Sequence, residues 1–387
     1  MTSQTQAHIT VAGHPYAPIG MGEQARNCFR ALKAVDVPVN MLDIYRHYPK
    51  PDPDFAAEFG SSLTRQLSPH LNIFNINGDE VEPVMRHLDD PNFEKAYNIV
   101  FPAWELESYP AEWGARLNRF DEVWTPSSFV AESVSKSVNV PVVPMNLAVS
   151  PKLSSFLTRR ALGLPEHAFL FLFFFDFSSY SSRKNPTAVI EAFKKAVAKE
   201  PKARMHLVLK AKGEPADKTQ MASLQRAIES HADQITVVDR TLSANETYNL
   251  IRNVDCFVSL HRSEGFGLGL AEAMALGTPV IATGWSGNMD FMSDETAFLV
   301  EHDFVEVKRG EYPFGDGQRW ADPNIPDAAD KMGHVWQERD AGLAKARCAS
   351  REITRLLSPR AIGLRFLERL ENGPAAPAFD RLQAVPA

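Results

Sequence analysis

A strand, a glycine-bearing loop and a helix follow one another in residues 256–276, and this junction constrains the fold more than any other stretch of the chain. The apolar run 256–260 predicts a buried strand, and good helix formers occupy residues 268–276. Between them, Gly265, Gly267 and Gly269 allow the backbone to approach a ligand closely. The first turn of the helix offers N–H groups with a partial positive charge. The sequence therefore predicts a phosphate-binding junction at the end of a buried strand.

Two glutamates flank this junction. Glu264 lies on the loop beside the strand end, and Glu272 lies eight positions later, about one turn inside the helix. Each can reach a different part of an extended ligand, with the phosphate site between them. A sugar joined to a diphosphate and a ribose fits this spacing, whereas a plain glycine turn with two solvated glutamates is the alternative.

The stretch from Glu264 to Glu272 resembles the paired-glutamate motif of retaining GT-B glycosyltransferases of family 4, the glycosyl transferases group 1. The resemblance implies that Glu264 contacts hydroxyls of the donor sugar and that Glu272 binds the ribose of the nucleotide. It places four further residues near the sugar and the diphosphate: Gly265, Phe266, Gly267 and Leu268.

The rest of the chain alternates strands with helices. This pattern predicts an α/β protein of the GT-B fold, with two Rossmann-like doubly wound parallel-sheet domains facing a central cleft. Its 387 residues also favour two domains. We expect an acceptor-binding domain in residues 1–150, a nucleotide-sugar-binding domain in 151–350, a helix crossing back to the first domain in 351–372, and disorder in 373–387. The predicted strands are 8–12, 71–76, 97–101, 122–125, 140–145, 168–177, 205–210, 234–238, 256–260 and 279–283.

Loops of the first domain carry candidate residues. Gly20 and Gly22 follow the first strand and resemble the family's loop near the donor phosphates and the acceptor, although a tight turn explains them equally well. Glu105 follows the strand 97–101, where many family members carry a histidine. It is a candidate for positioning or deprotonating the acceptor hydroxyl, or else for pairing at a helix start. Asp52 and Asp54 form a D-x-D pair in a proline-rich loop without a preceding apolar strand, which favours a surface turn over a metal site.

In the second domain, Arg183 and Lys184 follow the strand 168–177. Two adjacent cations there suit a diphosphate leaving group, because they offset the charge that grows as the glycosidic bond breaks. The family uses an arginine and a lysine at this place. Lys184 matches the lysine, whereas Ser179 occupies the place of the arginine and Arg183 is the candidate substitute. A solvated role for both cations is the alternative.

Two further donor-binding candidates follow later strands of the second domain. Lys210 ends the strand 205–210, in a region where the family places the nucleobase against backbone. Asn288 lies in a glycine-bearing turn that the family places near the donor sugar and phosphates, and a tight turn alone explains its glycines equally well.

Charge and composition exclude several classes of protein. A formal net charge of −7 argues against a general nucleic-acid binder. The three cysteines have no metal-ligand spacing and favour a reducing compartment. The longest apolar run, residues 169–175, is far too short to span a membrane, and the polar start has no signal-peptide character, which predicts a cytoplasmic protein. Arg26, Arg30 and Lys33 share one face of the first helix; a solvated face is favoured there over contact with anionic lipids of the inner membrane surface.

Together these features predict a retaining, metal-independent hexosyltransferase that uses no cofactor. The resemblance to the family, and not the residues themselves, implies a donor that is a nucleotide-diphosphate sugar of the mannose, rhamnose or glucose type. It likewise implies an acceptor that is a saccharide or lipid-linked saccharide in bacterial polysaccharide or glycoconjugate synthesis. Glu264, Glu105 and Lys184 are the predicted catalytic residues, and cations with a helix N-terminus take the place of a metal at the leaving diphosphate. Retention is implied by the resemblance. A sugar-nucleotide epimerase of the same fold and a non-catalytic sugar-nucleotide-binding protein are the alternatives.

Overall fold

The computed structural model describes residues 8–48, 50–177, 180–212 and 218–383, and the chain divides into two compact units. Unit 1 comprises residues 1–149 and 355–387, and unit 2 comprises residues 150–354. Each unit is built around one large parallel sheet. The prediction of two doubly wound parallel-sheet domains is confirmed.

Unit 1 alternates strands and helices along the chain. Its strands are β1 (Ile9–Gly13), β2 (Val39–Asp43), β3 (Leu63–Thr64), β4 (Leu71–Phe74), β5 (Tyr97–Val100), β6 (Glu122–Thr125) and β7 (Val142–Pro144). Its first five helices are α1 (Gly20–Lys33), α2 (Pro53–Phe59), α3 (Val81–Leu88), α4 (Ala111–Leu117) and α5 (Ser128–Ser135). The seven strands lie in the order β3-β2-β1-β4-β5-β6-β7. The order reverses between β1 and β4, which makes this pair the topological switch point of the sheet.

Unit 2 repeats the plan. The six strands of its sheet are β8 (Phe169–Asp176), β9 (Met205–Lys212), β10 (Ile235–Val238), β11 (Cys256–Ser259), β12 (Val280–Thr283) and β13 (Phe298–Val300). Its helices are α6 (Ser181–Lys184), α7 (Pro186–Lys199), α8 (Lys218–Glu229), α9 (Ala244–Asn253), α10 (Leu268–Ala275), α11 (Ile325–Gln337) and α12 (Arg339–Leu357). The strand order is β10-β9-β8-β11-β12-β13, with the reversal between β8 and β11.

Strand β8 forms the centre of unit 2. It pairs with β9 on one side and with β11 on the other. Four phenylalanines share one face of the sheet and lie in the hydrophobic core with the apolar side chains of α7: Phe169, Phe171, Phe173 and Phe175. Leu170, Leu172 and Phe174 face the other side of the sheet. The run of apolar residues predicted a strand covered on both faces, and this prediction is confirmed.

The chain returns to unit 1 through α13 (Pro359–Asn372) and α14 (Ala376–Gln383). Helix α13 packs so closely on α1 that a Cβ atom on Gly363 would lie 2.2 Å from the carbonyl oxygen of Ala31. Arg369 of α13 forms an ion pair with the buried Glu122 at 2.8 Å. Apolar burial and an ion pair therefore hold the last helices on the first sheet.

Two predictions about the end of the chain are corrected. Residues 351–357 belong to α12, and a new helix begins at Pro359 because Ser358 caps it and proline lacks the N–H of a helix interior. The tail is not disordered over residues 376–383, since Phe379 and Leu382 of α14 are buried; residues 384–387 lie outside the described part.

None of the predicted strands lies in residues 306–324, yet this stretch contains one. Strand β14 (His302–Glu306) pairs antiparallel with β15 (Arg319–Pro323). Trp320 of β15 is fully buried, which fixes the hairpin on the unit.

Candidate functional site

Charged side chains meet across the switch point of unit 2. Arg183 and Lys184 follow β8, and Glu264 follows β11, the strand beside it. Lys184 Nζ lies 2.6 Å from Glu264 Oε1, and Arg183 Nη1 lies 3.2 Å from Glu264 Oε2. Since the carboxyl ends of parallel strands meet at one edge of the sheet, the structure brings three of the predicted site residues into direct contact where such sheets bind ligands.

Glu264 is an ionised carboxylate in a nearly closed environment, with a side chain only 11% exposed. Burial alone would raise its pKa, but Lys184 and Arg183 outweigh burial and lower the pKa to about 2. The cluster therefore carries a fixed negative charge between two fixed positive charges. A diphosphate bound between Lys184 and Arg183 would compete with Glu264 for their positive charge.

Arg183 also supports the loop that carries Glu264. Its Nη1 donates to the carbonyl oxygen of Ser263 at 2.9 Å, and its own carbonyl oxygen accepts from the N–H of Arg262 at 2.8 Å. Because Arg183 is buried, it holds the two loops together, whereas Lys184 is the more exposed cation. Ser179, the position of the missing family arginine, lies outside the described residues.

The glycine loop joins Glu264 to α10 through a left-handed residue. Gly267 has φ of +90°, and a Cβ atom there would lie 3.2 Å from Asn288 Cβ. A side chain at this position is therefore strained by conformation and crowded by its neighbour. Among the described residues, no side chain caps α10, so the start of the helix offers backbone N–H groups.

The other residues of the motif lie on both sides of this turn. Gly265 and Phe266 are buried, and the Phe266 ring packs on Phe291 with centroids 5.1 Å apart, which gives Phe266 a packing role. Leu268 and Glu272 are half-buried on α10. The two glutamates are thus separated by the helix start, as their spacing predicted.

Asn288 does not present its side chain as a ligand contact, contrary to the prediction. The side chain is fully buried; its Oδ1 accepts from His261 Nε2 at 3.1 Å and its Nδ2 donates to the carbonyl oxygen of Thr283 at 3.1 Å. These bonds position the loop after β12 against the loop that carries Glu264. Ser286 has the same function, since its Oγ accepts from the N–H of Glu264 at 2.8 Å.

His261 is the supporting residue that sequence reasoning missed. It is fully buried, Ser259 Oγ donates to its Nδ1, and its Nε2–H donates to Asn288. Burial lowers its pKa, so the neutral ring is favoured. Its position three residues before Glu264 was the only signal in the sequence.

Lys210 lies on β9, paired with Phe174 of β8. The Lys210 side chain is 7% exposed, and its Nζ donates to the carbonyl oxygen of Ala211 at 2.7 Å. The neighbouring residues 213–217 lie outside the described part.

The candidates of unit 1 follow strands of its sheet, but Gly20 and Gly22 lie in the first turn of α1 and not in the loop before it. Glu105 lies half-buried in the loop after β5, six residues before α4 begins, so it does not start a helix. Gly22 is required sterically, because its Cβ would lie 2.2 Å from the carbonyl oxygen of Ala17, whereas no described atom lies within 4 Å of a Cβ on Gly20. Asp52 caps α2 by accepting from the N–H of Asp54 at 2.9 Å, so the D-x-D pair is a helix start and not a simple turn.

The basic face predicted on α1 is largely neutralised within the unit. Glu23 pairs with Arg26 at 2.6 Å and with Arg30 at 2.8 Å, and Arg30 also binds Glu58. Arg26 is buried, and its Nη1 donates to the carbonyl oxygen of Pro15. Arg26 and Arg30 are therefore engaged within the unit and not solvated as was favoured, whereas Lys33 is exposed.

No described helix combines the length and the apolar composition that a membrane crossing requires. Within the described ranges, no group of three or more His, Cys, Asp or Glu side chains is arranged to hold a metal ion.

Comparisons with known proteins agree with this geometry. Residues 169–307 match the family model of the glycosyl transferases group 1. A D-inositol 3-phosphate glycosyltransferase of Saccharomonospora viridis is 27% identical over 167 residues. That match covers 42% of this chain and 36% of the relative, so the chain spans little more than a third of this relative's length.

Solved structures extend the likeness to both units. Sucrose-phosphate synthase from Thermosynechococcus elongatus superimposes with a TM-score of 0.66 at 18% identity, covering 98% of this chain and 100% of that one. Anabaena HepE in complex with UDP and glucose superimposes with a TM-score of 0.64 at 13% identity, covering 94% and 99%. The fold is therefore GT-B, as the motif predicted, and the family match confirms the resemblance to group 1 glycosyltransferases.

Proposed function

We propose that this GT-B protein transfers a hexose, with retention and without a metal, from a nucleotide-diphosphate sugar to a saccharide or lipid-linked saccharide acceptor. The contact of Lys184 and Arg183 with Glu264 across the switch point of unit 2 carries the proposal. Two cations beside the start of α10 can neutralise a leaving diphosphate, and the carboxylate between them can receive hydroxyls of the sugar. Retention is carried over from the family resemblance.

The comparisons with solved structures suggest which donor sugar to test first. The solved HepE complex contains UDP and glucose, which makes UDP-glucose the first donor to test. The inositol phosphate relative makes a hydroxylated ring the first class of acceptor to test. Synthesis of a bacterial polysaccharide or glycoconjugate in the cytoplasm, beside the inner membrane, completes the proposal; the ion-paired face of α1 lends no support to membrane contact.

The first experiment identifies the nucleotide. A thermal-shift screen of the full chain with UDP, GDP, ADP and dTDP is expected to raise the melting temperature for one of them, because a ligand that binds only folded protein stabilises it. The matching nucleotide sugar is then incubated with and without saccharide acceptors. Transfer or slow hydrolysis supports the proposal, whereas epimerised donor indicates an isomerase and binding without turnover indicates a binding protein.

The two glutamates are expected to fail in different ways. Glu272→Ala should weaken nucleotide binding about tenfold through lost ribose hydrogen bonds. Glu264→Ala should chiefly lower turnover, by about a hundredfold, because it removes charge from the transition-state environment. Isothermal calorimetry and initial rates separate the two effects, with Glu229→Ala on the exposed face of α8 as the matched control. Full activity of both folded variants would refute the site.

A further inference from the structure

The switch point of unit 1 carries an imidazole–carboxylate pair. His14 directly follows β1, Glu80 follows β4, and His14 Nε2 lies 2.9 Å from Glu80 Oε1. These two strands are hydrogen-bonded neighbours at the point where the strand order reverses. Ligands of doubly wound sheets bind outside the carboxyl ends of such strands. The pair therefore lies where the topology of unit 1 places a ligand.

A row of aromatic rings adjoins the pair. Tyr45, which follows β2, stacks on His14 with centroids 5.6 Å apart and on His47 with centroids 5.1 Å apart. His87 tilts against the same tyrosine at 4.9 Å. His14 and Tyr45 are half-buried and the other two rings are exposed, so the row faces solvent and is not part of the core. Rings with polar edges suit a ligand that presents both C–H faces and hydroxyls.

The hydrogen bond between His14 and Glu80 fixes the proton on the imidazole. Burial opposes ionisation of Glu80, but the bonds from His14 and from the N–H of Asn77 lower its pKa. An ionised carboxylate only accepts, so Nε2 of the histidine carries the proton and donates it. In the neutral ring, Nδ1 is then an acceptor of defined orientation, which suits a ligand hydroxyl.

The charge around the pair disfavours an anionic ligand. Asp79 adjoins Glu80, and Asp43 at the end of β2 interacts with His14. The cations that face these groups are Arg46, beside Asp43, Arg86, beside Tyr45, and Arg116, which interacts with Asp79. Three carboxylates against three cations leave no excess positive charge for a phosphate, whereas a neutral hydroxylated ring needs none.

We propose that His14, Tyr45 and Glu80 form the acceptor subsite and that it binds a neutral polyhydroxylated ring, a hexose or a cyclitol. The inference rests on the proposed function, because it supplies the acceptor that transfer of a sugar requires. In this subsite Nδ1 of His14 accepts a hydrogen bond from a ligand hydroxyl, and the row of rings contacts the C–H face. Glu80 is a positioning residue that fixes the imidazole.

The test measures saccharide binding directly, on the full chain. Saturation-transfer NMR with methyl α-D-glucopyranoside, methyl α-D-mannopyranoside and myo-inositol is expected to show binding to the wild type. His14→Gln and Tyr45→Ala should each weaken it about tenfold, the effect of one lost hydrogen bond or ring contact. Glu80→Gln should weaken it less, because the imidazole remains but its tautomer is no longer fixed. Tyr48→Ala is the matched control, since Tyr48 is an exposed ring of the same loop that is 41% exposed.

The nucleotide arm separates this inference from the proposed function. His14→Gln should keep the melting-temperature rise that the nucleotide gives the wild type, which also shows that the variant is folded. Saccharide binding that depends on His14 in a protein that binds no nucleotide would support the subsite and contradict the transfer. The subsite is overturned if the wild type binds none of the three probes, or if His14→Gln and Tyr45→Ala bind them as well as Tyr48→Ala does.

Discussion

The ionised carboxylate of Glu264 stabilises the folded protein. Burial opposes its charge, yet Lys184 and Arg183 lower its pKa to about 2, below the value of about 4.3 for an unfolded glutamate. A group with a lowered folded pKa contributes stability above the unfolded value and loses it as the pH falls toward the folded value. The contribution at neutral pH is on the order of 3 kcal/mol.

Glu264→Gln should therefore melt well below the wild type at neutral pH, and the gap should narrow between about pH 5 and pH 3. Differential scanning calorimetry across this range measures the gap. Glu229→Gln, at an exposed carboxyl of unit 2, should follow the wild-type curve throughout. A gap between wild type and Glu264→Gln that stays constant with pH would contradict the lowered pKa.

At the scale of single residues, the sequence predicted the charged residues of the candidate site better than the residues that hold its loops in place. The meeting of Glu264 and Lys184 could be predicted, because motif spacing and adjacency to strand ends place both side chains at one edge of the sheet. His261 and Ser286 could not, because their roles depend on hydrogen bonds to loops distant in sequence. Asn288 was assigned to the ligand for the same reason, since nothing in the sequence shows that both ends of its amide are bonded inside the unit.

The start of α1 shows how one helix depends on one glycine. A Cβ on Gly22 would overlap the carbonyl oxygen of Ala17 at 2.2 Å and approach that of His14 at 2.8 Å. Both atoms belong to backbone, so relief requires the loop to move. Gly22→Ala should lower the stability of unit 1 by about 2 kcal/mol, and the melting temperature by about 5 °C.

Gly20→Ala is the matched control two residues away. A Cβ on Gly20 has no described atom within 4 Å, and alanine favours helix over glycine, so its melting temperature should be unchanged or slightly higher. Equal melting temperatures for the two variants would show that the loop accommodates a side chain at either glycine. Because the loop ends at His14, Gly22→Ala should also weaken saccharide binding.

At the element scale, most strands could be predicted from their apolar runs, but several strands were missed. Strand β6 matches its predicted bounds, and β8 and β9 lie within two residues of theirs, because apolar runs of this length have few other uses in a soluble protein. Strand β2 was missed, and β3 has only two residues. The hairpin of β14 and β15 was also missed, since most of its residues are exposed and its pairing is set by tertiary contacts around Trp320.

For the whole molecule, the last helices complete the first unit. Arg369 binds Glu122, whose side chain is 1% exposed and also accepts from Tyr97 and Trp124. Arg369→Ala should cost about 3 kcal/mol of unit 1 stability, because it leaves a buried carboxylate without its cation. Arg360→Ala is the control, since Arg360 lies on the same helix and bonds only weakly to the carbonyl oxygen of Ala34 at 3.4 Å.

Hydrogen exchange of unit 1 amides measures this prediction without interference from unit 2. The amides of β5 and β6 should lose protection in Arg369→Ala and keep it in Arg360→Ala. Equal protection in both variants would mean that packing on α1 alone holds α13. The length of the chain and its motif predicted the two-domain plan behind this arrangement. The sequence did not predict α14, because a proline-bearing end is typical of disorder unless its apolar face has a known partner.

The return of residues 355–383 to unit 1 has a consequence for synthesis. A ribosome releases the amino-terminal strands first, yet the helices that cover them emerge last, after all of unit 2. The sheet of unit 1 is synthesised first, and Trp124 and its neighbours therefore remain uncovered until α13 has been made. Unit 2 is continuous in the chain and is already able to fold by then. In a growing chain, unit 2 can therefore complete its fold before unit 1, although unit 1 begins earlier in the sequence.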